Sequence, residues 1–138
     1  MTKLEIIPLE GIPEISPGDD LVEIIGQLDT IQSGDILVVT QKIISKAENQ
    51  MVDIDPNDPL SHKPLVERES VRILRRRGDL IISQTKHGFV CANAGIDLSN
   101  VERGQAALLP DDSDRSARRL RDGLAGRFQI DVGIIISD

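Results

Sequence analysis

Apolar positions along the chain switch between helical and strand spacing. Leu21, Ile24, Ile25 and Leu28 fall at i, i+3, i+4 and i+7, one face of a helix. Asp19 or Asp20 stands ready to cap it. Gly26 inside it costs about 1 kcal/mol against Ala, so this helix needs tertiary support. Residues 4–8 read as a short strand, followed by turn-rich stretches at 11–14 and 17–20. Residues 36–40 (ILVVT) are apolar at successive positions and predict a strand buried on both faces. Residues 53–63 form a Pro-rich loop. Pro64 suits a first helical position, Glu67 and Glu69 the early turns, Arg75, Arg76 and Arg77 the last turn, and Gly78 a stop. Residues 64–77 therefore read as a second helix with Val66, Ser70, Ile73 and Leu74 inward. Residues 79–83 and 88–92 read as strands joined hairpin-like through 84–87, and 93–104 as a polar loop. Residues 106–109 read as a strand, and 110–126 as a third helix facing Ala117, Leu120 and Leu124 inward and ended by Gly126. Residues 130–137 close the chain as a strand. The order predicts an α/β, mixed α+β fold: one mixed sheet with helices packed on it, residues 1–138 forming a single domain.

Composition narrows the function. Ile, Leu, Val and Phe make up about a third of the 138 residues, enough for a real core. That core is aliphatic, because the chain has two Phe and no Trp or Tyr. A surface that stacks bases on aromatic rings is excluded. The net charge of −7 argues against a duplex nucleic-acid partner, and no apolar run reaches membrane-spanning length. One Cys and the lack of a charged-then-apolar leader point to the cytoplasm. Charge is unevenly placed: residues 1–62 hold 3 basic and 12 acidic side chains, residues 63–138 hold 13 and 11. This is either two differently solvated surfaces or a cationic side that greets a small anion.

No glycine pattern spells a phosphate loop, and no Cys or His pair has zinc spacing. His62 reads as a solvent histidine, His87 as a hydrogen-bonded structural one and Cys91 as a small buried side chain. The arginines at 75–77 read as a solvated face before a phosphate site. The stretch from Asn93 to Asn100 sets small polar groups beside a strand. Asp97 and Asn100 there are either parts of a satisfied turn or oxygen ligands for Mg2+ or Mn2+. Asp138 follows an apolar strand at its carboxyl end, where ligands of open α/β sheets gather. Thr40, Gln41, Lys42, Ser45 and Lys46 follow the 36–39 strand, and a lysine there is placed to meet phosphate oxygens.

In order along the chain, the stretches GIPE (11–14), VVTQKIISKAE (38–48), HGFVCANAGID (87–97), SNV (99–101), LLP (108–110) and IIISD (134–138) resemble the GTP-dependent coenzyme F420-0:gamma-glutamyl ligase family. The resemblance implies ligation of L-glutamate to coenzyme F420-0 through an acyl phosphate, giving GDP and phosphate. It implies GTP as a substrate and Mg2+ or Mn2+ as the metal, and admits K+. By position it implies Gly11, Ile12, Pro13, Glu14, Thr40, Gln41, Lys46 and Asn100 as GTP contacts, and Asp97 and Asp138 as metal ligands. A homodimer follows from the family alone, and small molecules are the partners it implies, with no nucleic acid and no membrane. Family members run on past the aspartate that matches Asp138, so this chain reads as the N-terminal portion, incomplete for catalysis. The alternative is a non-catalytic nucleotide-binding or dimerisation module of the same descent. Asn49 stands where the family often has Gly, and Asn tolerates the left-handed backbone such a turn needs.

Overall fold

Asp20 accepts the Glu23 amide at 3.1 Å and so opens the first helix, α1 (Leu21–Gly26), under the predicted apolar stripe. The computed structural model describes residues 3–99 and 101–138. After α1 it runs β1 (Ile36–Thr40), α2 (Gln41–Ala47), β2 (Met51–Asp53), α3 (Lys63–Glu69), β3 (Ser70–Arg77), β4 (Leu80–Thr85) and β5 (Val90–Ala92). A 3-10 turn at Asn93–Gly95 follows, then β6 (Gln105–Ala107), α4 (Ser113–Phe128) and β7 (Gly133–Ser137). The class is the mixed α+β that the element order predicts. The strands are not gathered into one mixed sheet, however. β1 and β7 pair in parallel, β2 and β6 antiparallel, and β3-β4-β5 form an antiparallel meander.

The larger apolar cluster gathers Ile25 of α1, Leu37 and Val39 of β1, Ile44 of α2, Leu120 and Leu124 of α4 and Val132, with Ile134 and Ile136 of β7 packed against it. The smaller gathers Val66, Ile81 and Ala94, with Ile73 and Ile96 against it. Two glycines let α1 and α4 cross closely. A Cβ on Gly123 would lie 2.5 Å from Val22 Cγ2, and one on Gly26 2.3 Å from the Phe128 ring. Gly26 thus gives up helix propensity for contact. Arg127 then ties the two helices at the surface by pairing with Asp20 and Glu23.

Several expectations need correction. Residues 64–77 are not one helix: α3 stops at Glu69, and the rest is β3. The Ser70 hydroxyl donates to the Val66 carbonyl at 2.6 Å and closes the helix there. Gly78, at φ +57°, turns the chain so that Arg77 pairs with Leu80 and Arg76 with Ile81. Cross-strand pairing has overridden the helical reading of this stretch. The arginines therefore lie along the outer strand of the meander, where charge discourages further strand pairing. Residues 4–8 form no strand, and Leu4 and Ile6 are exposed. The 36–40 strand is not covered on both faces: Leu37 and Val39 are buried, whereas Ile36 and Val38 are 67% and 62% exposed. Gly126 does not end α4, which continues to Phe128 and closes on a left-handed Gln129. His62 is no solvent histidine. It is 8% exposed, with Nδ1 unpartnered. Asn49 does adopt the left-handed turn, at φ +58°. No helix among the described residues is long and apolar enough to cross a membrane.

Candidate functional site

β1 passes into α2 without a loop, because Thr40 is the last strand residue and Gln41 the first helical one. On α2, Gln41, Ile44 and Ser45 turn inward and are buried. The Ser45 hydroxyl donates to Gln41 Oε1 at 3.1 Å, which engages the Gln41 side chain inside the fold. Lys42 and Lys46, one helical turn apart, stack on the same side of α2. Lys46 pairs with Glu14 and so anchors the 11–14 segment against α2.

Lys42 is bound on all sides. Its ammonium lies 2.6 Å from Asp97 Oδ2 and donates to the carbonyl oxygen and the hydroxyl of Ser99, each at 2.8 Å. The Ser99 hydroxyl and amide both donate to Asp97 Oδ1 at 2.7 Å. Burial pushes the Asp97 carboxyl up, but the Lys42 and Ser99 hydrogen bonds outweigh it and hold the group below its ordinary range. Asp97 is fixed from behind by backbone. Its amide donates to the Ala107 carbonyl, and the Ala107 amide returns the bond, both at 2.9 Å. The approach to Asp97 is set by three successive left-handed residues, Asn93, Ala94 and Gly95. Glycine is demanded at the third, since a Cβ on Gly95 would sit 2.8 Å from Leu109.

Asp138 follows Ser137, which pairs with Thr40 in the β1–β7 register. It is therefore carried to the carboxyl end of β1, where α2 begins. Burial first, and the Asp138 charge second, push the Cys91 thiol up, so Asp138 also lies within electrostatic reach of β5. Asp97 lies six residues beyond Cys91. The donor set suits a hard divalent cation. Mg2+ is usually held by one or two carboxylates with water and substrate phosphates supplying the rest. Among the described residues no group of three or more His, Cys, Asp or Glu side chains is placed to hold an ion.

The fold thus draws Asp97 and Glu14 onto α2 through Lys42 and Lys46, while β7 carries Asp138 to the end of β1 where α2 begins. Gly11, at φ +82°, Ile12 and Pro13 lead into Glu14 along a segment without helix or strand. The side chain of Gln41 is buried, its Oε1 accepting from Ser45. Asn100 lies outside the described residues. Lys42 was visible as a lysine placed to meet phosphate, and Ser99 as a small polar residue, but neither was read as a partner of Asp97. The signal for Lys42 was its spacing of four from Lys46, which matters only once 41–47 is seen as a helix. His87 is structural: its ring nitrogens meet Thr85 Oγ1 at 3.2 Å and the Pro110 carbonyl at 2.8 Å.

Comparison with known proteins shows the family. The F420-0:Gamma-glutamyl ligase family model matches residues 11–138. A protein named Coenzyme F420:L-glutamate ligase from Methanopyrus kandleri is 39% identical, covering 99% of this chain and 59% of that protein. Proteins of the same name from Methanothermobacter thermautotrophicus and Archaeoglobus fulgidus are 36% and 37% identical, covering 98% and 99% of this chain and 61% and 60% of their own lengths. The chain spans about three fifths of the length of these curated relatives. A match over nearly all of its residues, running through the segments that carry Glu14, Lys46, Asp97 and Asp138, places this chain in the F420-0:gamma-glutamyl ligase family.

Proposed function

We propose that this chain supplies the nucleotide- and cation-binding part of a ligase that joins L-glutamate to coenzyme F420-0 at the expense of GTP. The observation that supports the reading is that two lysines on one side of α2 draw in acidic side chains from distant segments, Lys42 taking Asp97 and Lys46 taking Glu14. A triphosphate brings about four negative charges to a site, and these must be offset before a substrate carboxylate can approach. Lys46 is one offset, anchored by Glu14 so that its ammonium stays at the site. Asp97 and Asp138 would hold Mg2+ or Mn2+, and the bound ion would neutralise phosphate oxygens. Residues 11–14, the Thr40 hydroxyl and the Gln41 backbone would line the nucleotide, together with Asn100.

In this reading the carboxylate of F420-0 attacks the γ-phosphorus of GTP and GDP leaves. The glutamate amine then attacks the acyl carbon, phosphate departs, and the amine gives up a proton as the amide forms. The protein's share is positioning and charge. Isothermal titration of GDP in the presence of Mn2+ tests it. Asp97→Ala should lower affinity at least about tenfold, the cost of one charge-assisted contact, and Lys46→Ala should do the same. Unchanged binding in both variants would sink the reading. The uncovered outer face of β1 and β7, with Ile36, Val38 and Ile135 exposed, favours a second reading as a nucleotide-binding or dimerisation module. Intact GDP binding with no glutamate-dependent phosphate release, in a sample that sediments as a dimer, would select it.

A further inference from the structure

Lys42 is given no nucleotide or cation contact in the reading above, yet it is held by three hydrogen-bond acceptors beside Asp97. Its three ammonium protons are matched by three acceptors: Asp97 Oδ2 and the two oxygens of Ser99. Asp97 in turn has one carboxylate oxygen taken by Ser99 and the other by Lys42. The side chains are 14% and 31% exposed, so solvent screens the pair only in part. A divalent ion reaching Asp97 would find its oxygen occupied and would sit within a few ångströms of a positive charge, which is strongly unfavourable at that distance.

We infer that Lys42 is a built-in counter-cation for Asp97, and that its ammonium and a divalent ion compete for the same carboxylate. The inference rests on the cation role proposed for Asp97. Its consequence is ordered loading. The four-carbon stem of Lys42 lets the ammonium swing to an arriving phosphate oxygen. Asp97 is then released to the ion at the moment polyphosphate is present. Ion and nucleotide therefore bind cooperatively, and by linkage each tightens the other equally. Without nucleotide, Lys42 keeps Asp97 neutralised and the surrounding turn closed.

Equilibrium binding of Mn2+ alone, read from the electron paramagnetic resonance of the free ion, tests this without turnover. Lys42→Met should bind Mn2+ about tenfold more tightly than the wild type, as removal of a like charge at this range implies. Lys42→Arg keeps the charge and should stay near the wild type. Asp97→Asn in the Lys42→Met background should abolish the gain. Should Lys42→Met be less stable, Mn2+ should still raise its melting temperature by more than it raises that of the wild type. Equal or weaker Mn2+ affinity in Lys42→Met overturns the inference. If Lys42→Met gains affinity but GDP changes Mn2+ binding in neither protein, the competition stands and the nucleotide reading is what fails.

Discussion

Two glycines three residues apart on α4 should respond to the same substitution with opposite signs. Gly126 has nothing within 4 Å of an added Cβ, so Gly126→Ala meets no obstacle. Replacing an unhindered helical glycine with alanine gains about 0.5–1 kcal/mol. Gly123→Ala gains the same propensity, but its methyl would lie 2.5 Å from Val22 Cγ2 and 3.0 Å from Cγ1. Valine on a helix is confined to one main rotamer and cannot swing aside. Overpacking of this kind costs about 1–3 kcal/mol. Because propensity cancels between the two variants, Gly123→Ala should be less stable than Gly126→Ala by about 1–3 kcal/mol, the cost of the clash alone. Urea denaturation followed by circular dichroism measures both, with unchanged m-values as the check that only stability moved. Val22→Ala should restore part of the loss in the Gly123→Ala background and none elsewhere. Equal stability of the two single variants, or no rescue by Val22→Ala, would refute the claim that helix contact is what requires Gly123.

Burial is the main cause that pulls the His62 imidazole below its ordinary value, with Lys63 adding to it. The unfolded chain then takes up the proton first, so stability is full above about pH 6.5 and declines as pH falls toward the folded value. In His62→Gln the decline between about pH 7 and 5 should shrink, as urea midpoints across that range would reveal. Asn93 Oδ1 accepts from the Ile81 amide and from Lys63 Nζ, both at 3.2 Å. Asn93→Ala should cost about 1–3 kcal/mol by orphaning that amide, and Asn93→Asp, which keeps the acceptor, clearly less; thermal melts separate the two. Asp20 caps α1, and its bond to Arg127 holds its carboxyl below the ordinary range. Asp20→Ala should cost about 1 kcal/mol at neutral pH. That difference should fade as acid protonates the wild-type carboxylate, which denaturation at pH 3 would check.

The stretches that were legible are those whose local signals and tertiary surroundings agree. In α1 and α4 an acidic cap, an apolar stripe and the observed helix coincide. Residues 64–77 misled because Pro64, the early glutamates, the late arginines and Gly78 all obey helix rules, while Gly78 equally serves a tight hairpin. Only pairing with β4 decides between them, and pairing is not local. Helix α2 went unread because it is short and starts straight from a strand, with no cap hydrogen bond from Thr40. That omission hid the common face of Lys42 and Lys46. Lys46, Asp97 and Asp138 stood out as candidates from their residue types and places at strand ends, with family likeness assigning their roles, whereas Glu14 was singled out by likeness alone. Their spacing along the chain gives no hint that β7 returns alongside β1. The partner of Asp97, Lys42, lies 55 positions away.

The Lys42–Asp97 bond joins elements that belong to different apolar clusters. Lys42 stands on α2, whose Ile43 and Ile44 pack with the larger one, and Asp97 follows Ile96, which rests on the smaller. Clusters of such unequal size should open separately, the meander around Val66 and Ile81 exchanging its amide hydrogens well before β1 and β7. The Lys42–Asp97 contact would then cross a seam between two folding units, and whatever strengthens it would slow exchange on the weaker side.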